Sequence, residues 1–205
     1  MNDVVNAVLL TEVFVTLFVI MDPPGTIPVF LSLTSGRSTA TIRRAAWQAV
    51  AVSFFVITVF ALFGQGILRY MHISIPALQG AGGLLLLLVA LELLTGNEKE
   101  PTASQDVNIA LVPLGTPLLA GPGAIVAVML FVQRVDSVAT FTAVCLGVVL
   151  VHVALWLAMR FSVTILKVIR ESGVLLVTRI AGLLLSAIAV QMVADAVRAF
   201  ANGEG

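Results

Sequence analysis

The residues best suited to chemistry in this chain lie in one short run, Asp22-Pro23-Pro24-Gly25-Thr26-Ile27-Pro28. Its carboxylate is the only charge between Val13 and Gly36. A charge at the centre of a bilayer costs at least about 2.5–3.5 kcal/mol, so Asp22 is expected to face a cavity or a partner rather than lipid. It could bind a cation, a proton or a substrate ammonium group; the alternative is a carboxyl that merely caps the next helix. Paired prolines remove two backbone donors and disfavour helix in the residue before each, and Gly25 can adopt conformations closed to other residues. A helix is therefore predicted to break here and restart, with Thr26 as N-cap and Pro28 in the first turn.

A second run, Pro117-Leu118-Leu119-Ala120-Gly121-Pro122-Gly123-Ala124-Ile125, carries the same punctuation. Restarted half-helices present bare N–H groups and a positive dipole end, which suit a carboxylate. An anion-binding backbone beside an acidic side chain fits a zwitterion, that is, an amino acid. The expected binding set is Asp22, Pro24, Gly25, Thr26 and Ile27 from the first break, with Gly121, Gly123, Ala124 and Ile125 from the second. Contacts should come mainly from the backbone N–H groups of Gly25–Ile27 and Gly123–Ile125.

Asp22, Glu92, Gln191 and Asp195 are candidates for coupling transport to a proton or Na⁺. For Glu92 and Asp195 the competing reading is an interfacial charge, and for Gln191 a helix–helix hydrogen bond. His152 lies mid-span and could titrate near neutrality, or it could be a hydrogen-bonded structural residue. Cys145 is the only cysteine; neither a disulfide nor a cysteine metal cluster is expected, and it reads as a small packing residue. Gly80, Gly82 and Gly83 suit close helix contact. No Gly-x-Ser-x-Gly elbow, His-Glu-x-x-His or Walker A loop occurs, so neither an enzyme, a metal nor a cofactor is expected.

The elements that must position these residues follow from composition. Of 205 residues, 60% are hydrophobic and 11% charged, against about 25% charged in a soluble domain; mean hydropathy is +1.10. So small a polar supply excludes a soluble enzyme and a disordered chain. Zero net charge argues against a nucleic-acid partner. The partner implied is a lipid bilayer. A membrane helix needs about 20 apolar residues, and four windows are free of charge: Ala45–Leu68, Tyr70–Leu91, Val107–Gln133 and Ser137–Met159. Val13–Gly36 carries only Asp22, and Ser172–Ala194 only Arg179, expected at that helix's entrance.

Six spans fill the chain as a single integral membrane domain, 1–205. The first is not a signal peptide, because no Lys or Arg precedes Arg37. The loops after the first, third and fifth spans hold Arg37, Arg43, Arg44, Lys99, Arg160, Lys167 and Arg170, with Arg179 at the last boundary. The other side holds Arg69, Arg134 and Arg198. That asymmetry places both termini outside the cytoplasm.

Aligned on Pro-Gly, Pro24 falls on Pro122, Gly25 on Gly123 and Ile27 on Ile125. In the third and sixth spans Gly83-Leu84-Leu85-Leu86 falls on Gly182-Leu183-Leu184-Leu185, Ala90 on Ala189 and Glu92 on Gln191. The expected fold is all-α, six transmembrane helices as a 3+3 inverted repeat, with repeat one at about 1–96 and repeat two at about 107–200. Each half-helix after a break would run about 15 Å, which puts both breaks near the bilayer midplane.

The stretch Ile20-Met21-Asp22-Pro23-Pro24-Gly25-Thr26-Ile27-Pro28-Val29-Phe30 resembles a hallmark of the MarC/SnatA family of inner-membrane proteins. Val112-Pro113-Leu114 through Pro117–Gly123 is similar to its second, and Arg179-Ile180-Ala181-Gly182-Leu183 with Ala189-Val190-Gln191 also matches. The resemblance implies a multi-pass inner-membrane secondary transporter that moves small neutral amino acids such as alanine or glycine outward. Thr26 stands where the family often has Asn, and the family often has Asp or Lys near Glu92. The alternative classes are a channel-like facilitator of a small solute and a non-transporting membrane subunit linked to antibiotic resistance.

Overall fold

A computed structural model of the chain describes residues 5–95 and 119–203, and every regular element among them is helical. The helices are α1 (Ala7–Met21), α2 (Pro23–Leu33), α3 (Thr39–Tyr70), α4 (Ile75–Thr95), α5 (Pro122–Gln133), α6 (Val138–Arg160) and α7 (Ser162–Ala201). Their starts follow local polar chemistry. The Asn6 side chain accepts from Leu9 N at 3.0 Å, Ser38 caps α3 through Thr41 N, and Ser137 and Thr140 form a reciprocal capping box on α6.

Five helical stretches are long and apolar enough to cross a membrane, α1–α2 together forming one of them; α5 is a shorter apolar helix of 12 residues. Trp47, Phe55, Leu62, Leu88 and Val190 are exposed on the outside. An all-helical bundle with such a surface satisfies its backbone internally, as lipid requires. Inside, α4 packs along α7 and α1 along α6, while α2 sits against α7 and α6, and α5 against α3 and α4. Phe30, Leu17, Ile57, Leu119, Leu155 and Met159 fill the main core.

Several expectations are corrected. The first break falls at Asp22 (φ 38°, ψ 68°), not at Gly25, which is helical inside α2. Asp22, not Thr26, precedes the restarted helix. Thr26 instead donates its hydroxyl to the Pro23 carbonyl at 2.7 Å, and Pro28 lies within α2, beyond its first turn. The prolines explain the shift: α2 begins with both at its first two positions, where no intrahelical donor is needed. The basic segment after the fifth span is no loop. It is helical from Ser162, with a break at Arg170 (φ 62°, ψ 166°); the spanning part runs over Ser172–Ala201, and Arg179 lies in its early turns. Cys145 is exposed on α6, not packed within. The acidic loop Lys99–Asp106, the Val112-Pro113-Leu114 motif and Pro117-Leu118 lie outside the described residues.

Candidate functional site

The bend at Asp22 is built by one residue between two helices. Its N–H closes α1 on the Phe18 carbonyl at 3.1 Å, and its own carbonyl accepts Thr26 N–H at 3.0 Å. Left-handed backbone disfavours most side chains, but Asp tolerates it. The carboxylate is 6% exposed, makes no capping bond to α2, and neither oxygen has a hydrogen-bond partner. The donors that interact with the carboxylate are the Gly25 N–H, in the first turn of α2, and the Thr178 hydroxyl, neither in full hydrogen-bond geometry.

Thr178, from α7, faces the same place. It is 5% exposed, and its Oγ1 also lacks a partner. The two groups pack together against Gly25. A Cβ built there would run into the Asp22 carboxylate and stand 3.1 Å from Thr178 Oγ1. Gly25 is thus required for room, not for backbone freedom. Thr178 was missed from sequence: a lone Thr in an apolar span is ordinary, and nothing local ties it to a carboxylate far along the chain.

The start of α5 lies close by. A Cβ on Gly123 would press on Leu86 and come within 3.6 Å of Ile20, in the last turn of α1. Gly121 is the N-cap of α5 in extended backbone. The N–H groups of Ala124 and Ile125 both return to the Gly121 carbonyl, at 3.0 and 3.2 Å, and Thr26 N–H to Asp22. Of the N–H groups expected to form a carboxylate cradle, those of Thr26, Ala124 and Ile125 are engaged within the helices. Pro24 has no N–H to offer, and Ile27 contributes a buried apolar side chain. At Gly25 and Gly123 the missing side chain makes room for a neighbour, the Asp22 carboxylate at the first and Leu86 at the second.

The remaining candidates are elsewhere. Glu92 is exposed near the end of α4. Gln191 donates to Asp195 within α7 at 2.8 Å rather than across helices, and Asp195 pairs with Arg198 at 3.6 Å. His152 is buried between α6 and α3. Its Nδ1–H donates to the Val148 carbonyl at 2.7 Å, which leaves Nε2 to accept from Ser53 at 3.3 Å, and Phe54 meets it edge-on. That is the structural reading. Among the described residues no three His, Cys, Asp or Glu side chains are grouped to hold a metal.

A helical bundle with an apolar exterior, a broken span and a buried carboxylate at the break defines a multi-pass integral membrane protein. The chain belongs to the MarC family of integral membrane proteins, which it matches over residues 7–201. It is 36% identical over 192 residues to a UPF0056 membrane protein of Methanocaldococcus jannaschii, covering 90% of this chain and 94% of that one. A UPF0056 membrane protein of Aquifex aeolicus is 35% identical over 199 residues (93% of each chain). Escherichia coli YhcE is 32% identical over 200 residues, 93% of this chain and 92% of that one. No solved structure matches the chain.

Proposed function

We propose that this protein is a secondary transporter that exports small neutral amino acids such as alanine or glycine by alternating access around its broken helices. The observation that carries the reading is the buried Asp22 carboxylate, unpartnered at a bend between two half-helices. An ionised group so placed is stable only if something arrives to pair with it. The packing is what a 3+3 inverted repeat would produce. Exchanging the halves turns α2 on α7 into α5 on α4, turns α3 on α5 into α6 on α2, and returns α4 on α7 to itself. Half-helices of 11 and 12 residues span roughly half of a 30 Å hydrocarbon core, so both breaks would lie near the midplane. The cell inner membrane, with both termini outside the cytoplasm, is the setting that the loop charges support.

The ammonium end of the substrate would meet Asp22, and the carboxylate end the Gly121–Gly123 start of α5. Purified protein in proteoliposomes is expected to give saturable alanine or glycine flux that responds to an imposed proton or Na⁺ gradient. Flux indifferent to every gradient would make it a facilitator, and the absence of amino-acid flux would remove the reading.

A further inference from the structure

We propose that the bend at Asp22 is a site for one small monovalent cation, held between the Asp22 carboxylate and the Thr178 hydroxyl. The site rests on reading the break as a binding place, but not on the identity of any transported solute. Three independent features meet there. First, both Asp22 oxygens and Thr178 Oγ1 are buried and make no hydrogen bond of full geometry; the carboxylate interacts with the Gly25 N–H and the Thr178 hydroxyl, neither of which neutralises a charge. An isolated carboxylate is among the most expensive groups to bury, and His152 is the only other buried titratable side chain among the described residues. That histidine is engaged with Ser53 and Val148, so it does not supply the missing charge.

Second, the backbone adds negative potential. Pro23 and Pro24 have no N–H to return to the carbonyls of Val19 and Ile20, the positions four residues before them. The C-terminal end of α1 therefore presents carbonyl oxygens and the negative end of its dipole to the bend. From the other side α2 brings one donor: its first two positions are those same prolines, Thr26 N–H is already bonded to the Asp22 carbonyl, and the Gly25 N–H interacts with the carboxylate.

Third, the missing side chain of Gly25 is what lets the two groups sit together: a Cβ there would overlap the Asp22 carboxylate and stand 3.1 Å from Thr178 Oγ1. A buried carboxylate beside a hydroxyl suits a small monovalent cation. An alkali metal ion and the primary ammonium of a substrate share this chemistry. Because Asp22 comes from the α1–α2 bend and Thr178 from α7, a bound cation would join two separately packed elements.

The test is thermal unfolding of the full chain in detergent, at fixed pH and ionic strength and without amino acid, in sodium, methylammonium or choline chloride. Sodium or methylammonium is expected to raise Tm over choline by about 2–4 °C; whichever ion does so identifies the source. Thr178→Ser should keep the increment, and Thr178→Val and Asp22→Asn should lose it. Equal Tm in all three salts overturns the proposal, as does stabilisation by acid alone or an undiminished increment in Thr178→Val. A cation increment in a protein that moves no amino acid would leave this site standing and remove the transporter reading; amino-acid flux without an increment would do the reverse.

Discussion

Gly83 of α4 lies directly against the carbonyl of Ala189 of α7: a Cβ built on Gly83 would stand 2.8 Å from that oxygen. The counterpart contact is present too, with a Cβ on Gly182 falling 3.2 Å from the Ala90 carbonyl. The two contacts occur in opposite order along the helices, so α4 and α7 run antiparallel, and fully buried Leu86 and Leu185 lie between them. Small residues let the backbones approach where lipid supplies no hydrophobic drive between helices.

Gly83→Ala is expected to destabilise by about 1–3 kcal/mol, because its methyl meets backbone that cannot swing aside. Gly66→Ala is the control: it lies in α3 with nothing within 4 Å of its Cβ position and should gain about 0.5–1 kcal/mol. Denaturant unfolding in detergent would compare them, and a Gly83→Ala protein as stable as wild type would contradict the seam.

Asp22→Asn keeps the shape of the bend and removes an unpartnered buried charge. It should fold and insert as well as wild type, with thermal stability equal or higher, while amino-acid flux falls by about tenfold or more, the equivalent of one lost charge-assisted contact. Gly25→Ala should lose flux similarly, since its methyl displaces the Asp22 carboxylate. Wild-type flux in Asp22→Asn would take the carboxylate out of the site.

His152→Ala tests the opposite role. It breaks the Ser53 bond and leaves a cavity, at about 1–3 kcal/mol in stability. Flux per folded molecule and its pH profile should be unchanged; a shifted profile would make His152 part of the coupling path.

Arg134 is bidentate to Glu12, one bond measuring 2.9 Å, and ties α1 to the end of α5. That hydrogen bond raises the Arg134 pKa above its ordinary value. A raised basic pKa adds stability at all pH below the unfolded value, so the arginine introduces no pH dependence between about pH 6 and 9. Both side chains are substantially exposed, at 53% and 42%. Glu12→Gln should therefore cost under about 1 kcal/mol, and the difference should shrink in salt. A larger, salt-independent loss in the melting curve would show the pair to be more than a surface bridge.

A reporter fused after Gly205 should be active only outside the cytoplasm, as the basic residues of the odd loops require. Activity in the cytoplasm would reverse the orientation.

The membrane character, the helices α3, α4 and α6, the break at Asp22 and the start of a helix at Gly121–Gly123 were all legible in the sequence. Each follows from a cost paid locally: a charge in hydrocarbon, a proline without its N–H, a run of apolar residues long enough to cross. The position of the first bend was off by three residues, because pattern alone does not say which of Asp22, the prolines or Gly25 takes the unusual backbone. Packing decided that Asp22 turns and that Gly25 stays helical to make room. Only the tertiary structure could join Thr178 to Asp22, pair Glu12 with Arg134, and set Gln191 against Asp195 instead of a neighbouring helix. Those relationships depend on how rotated and how deep one helix lies against another. That is set by small-residue contacts such as Gly83 on Ala189, whose effect is felt only once two distant stretches of chain have met.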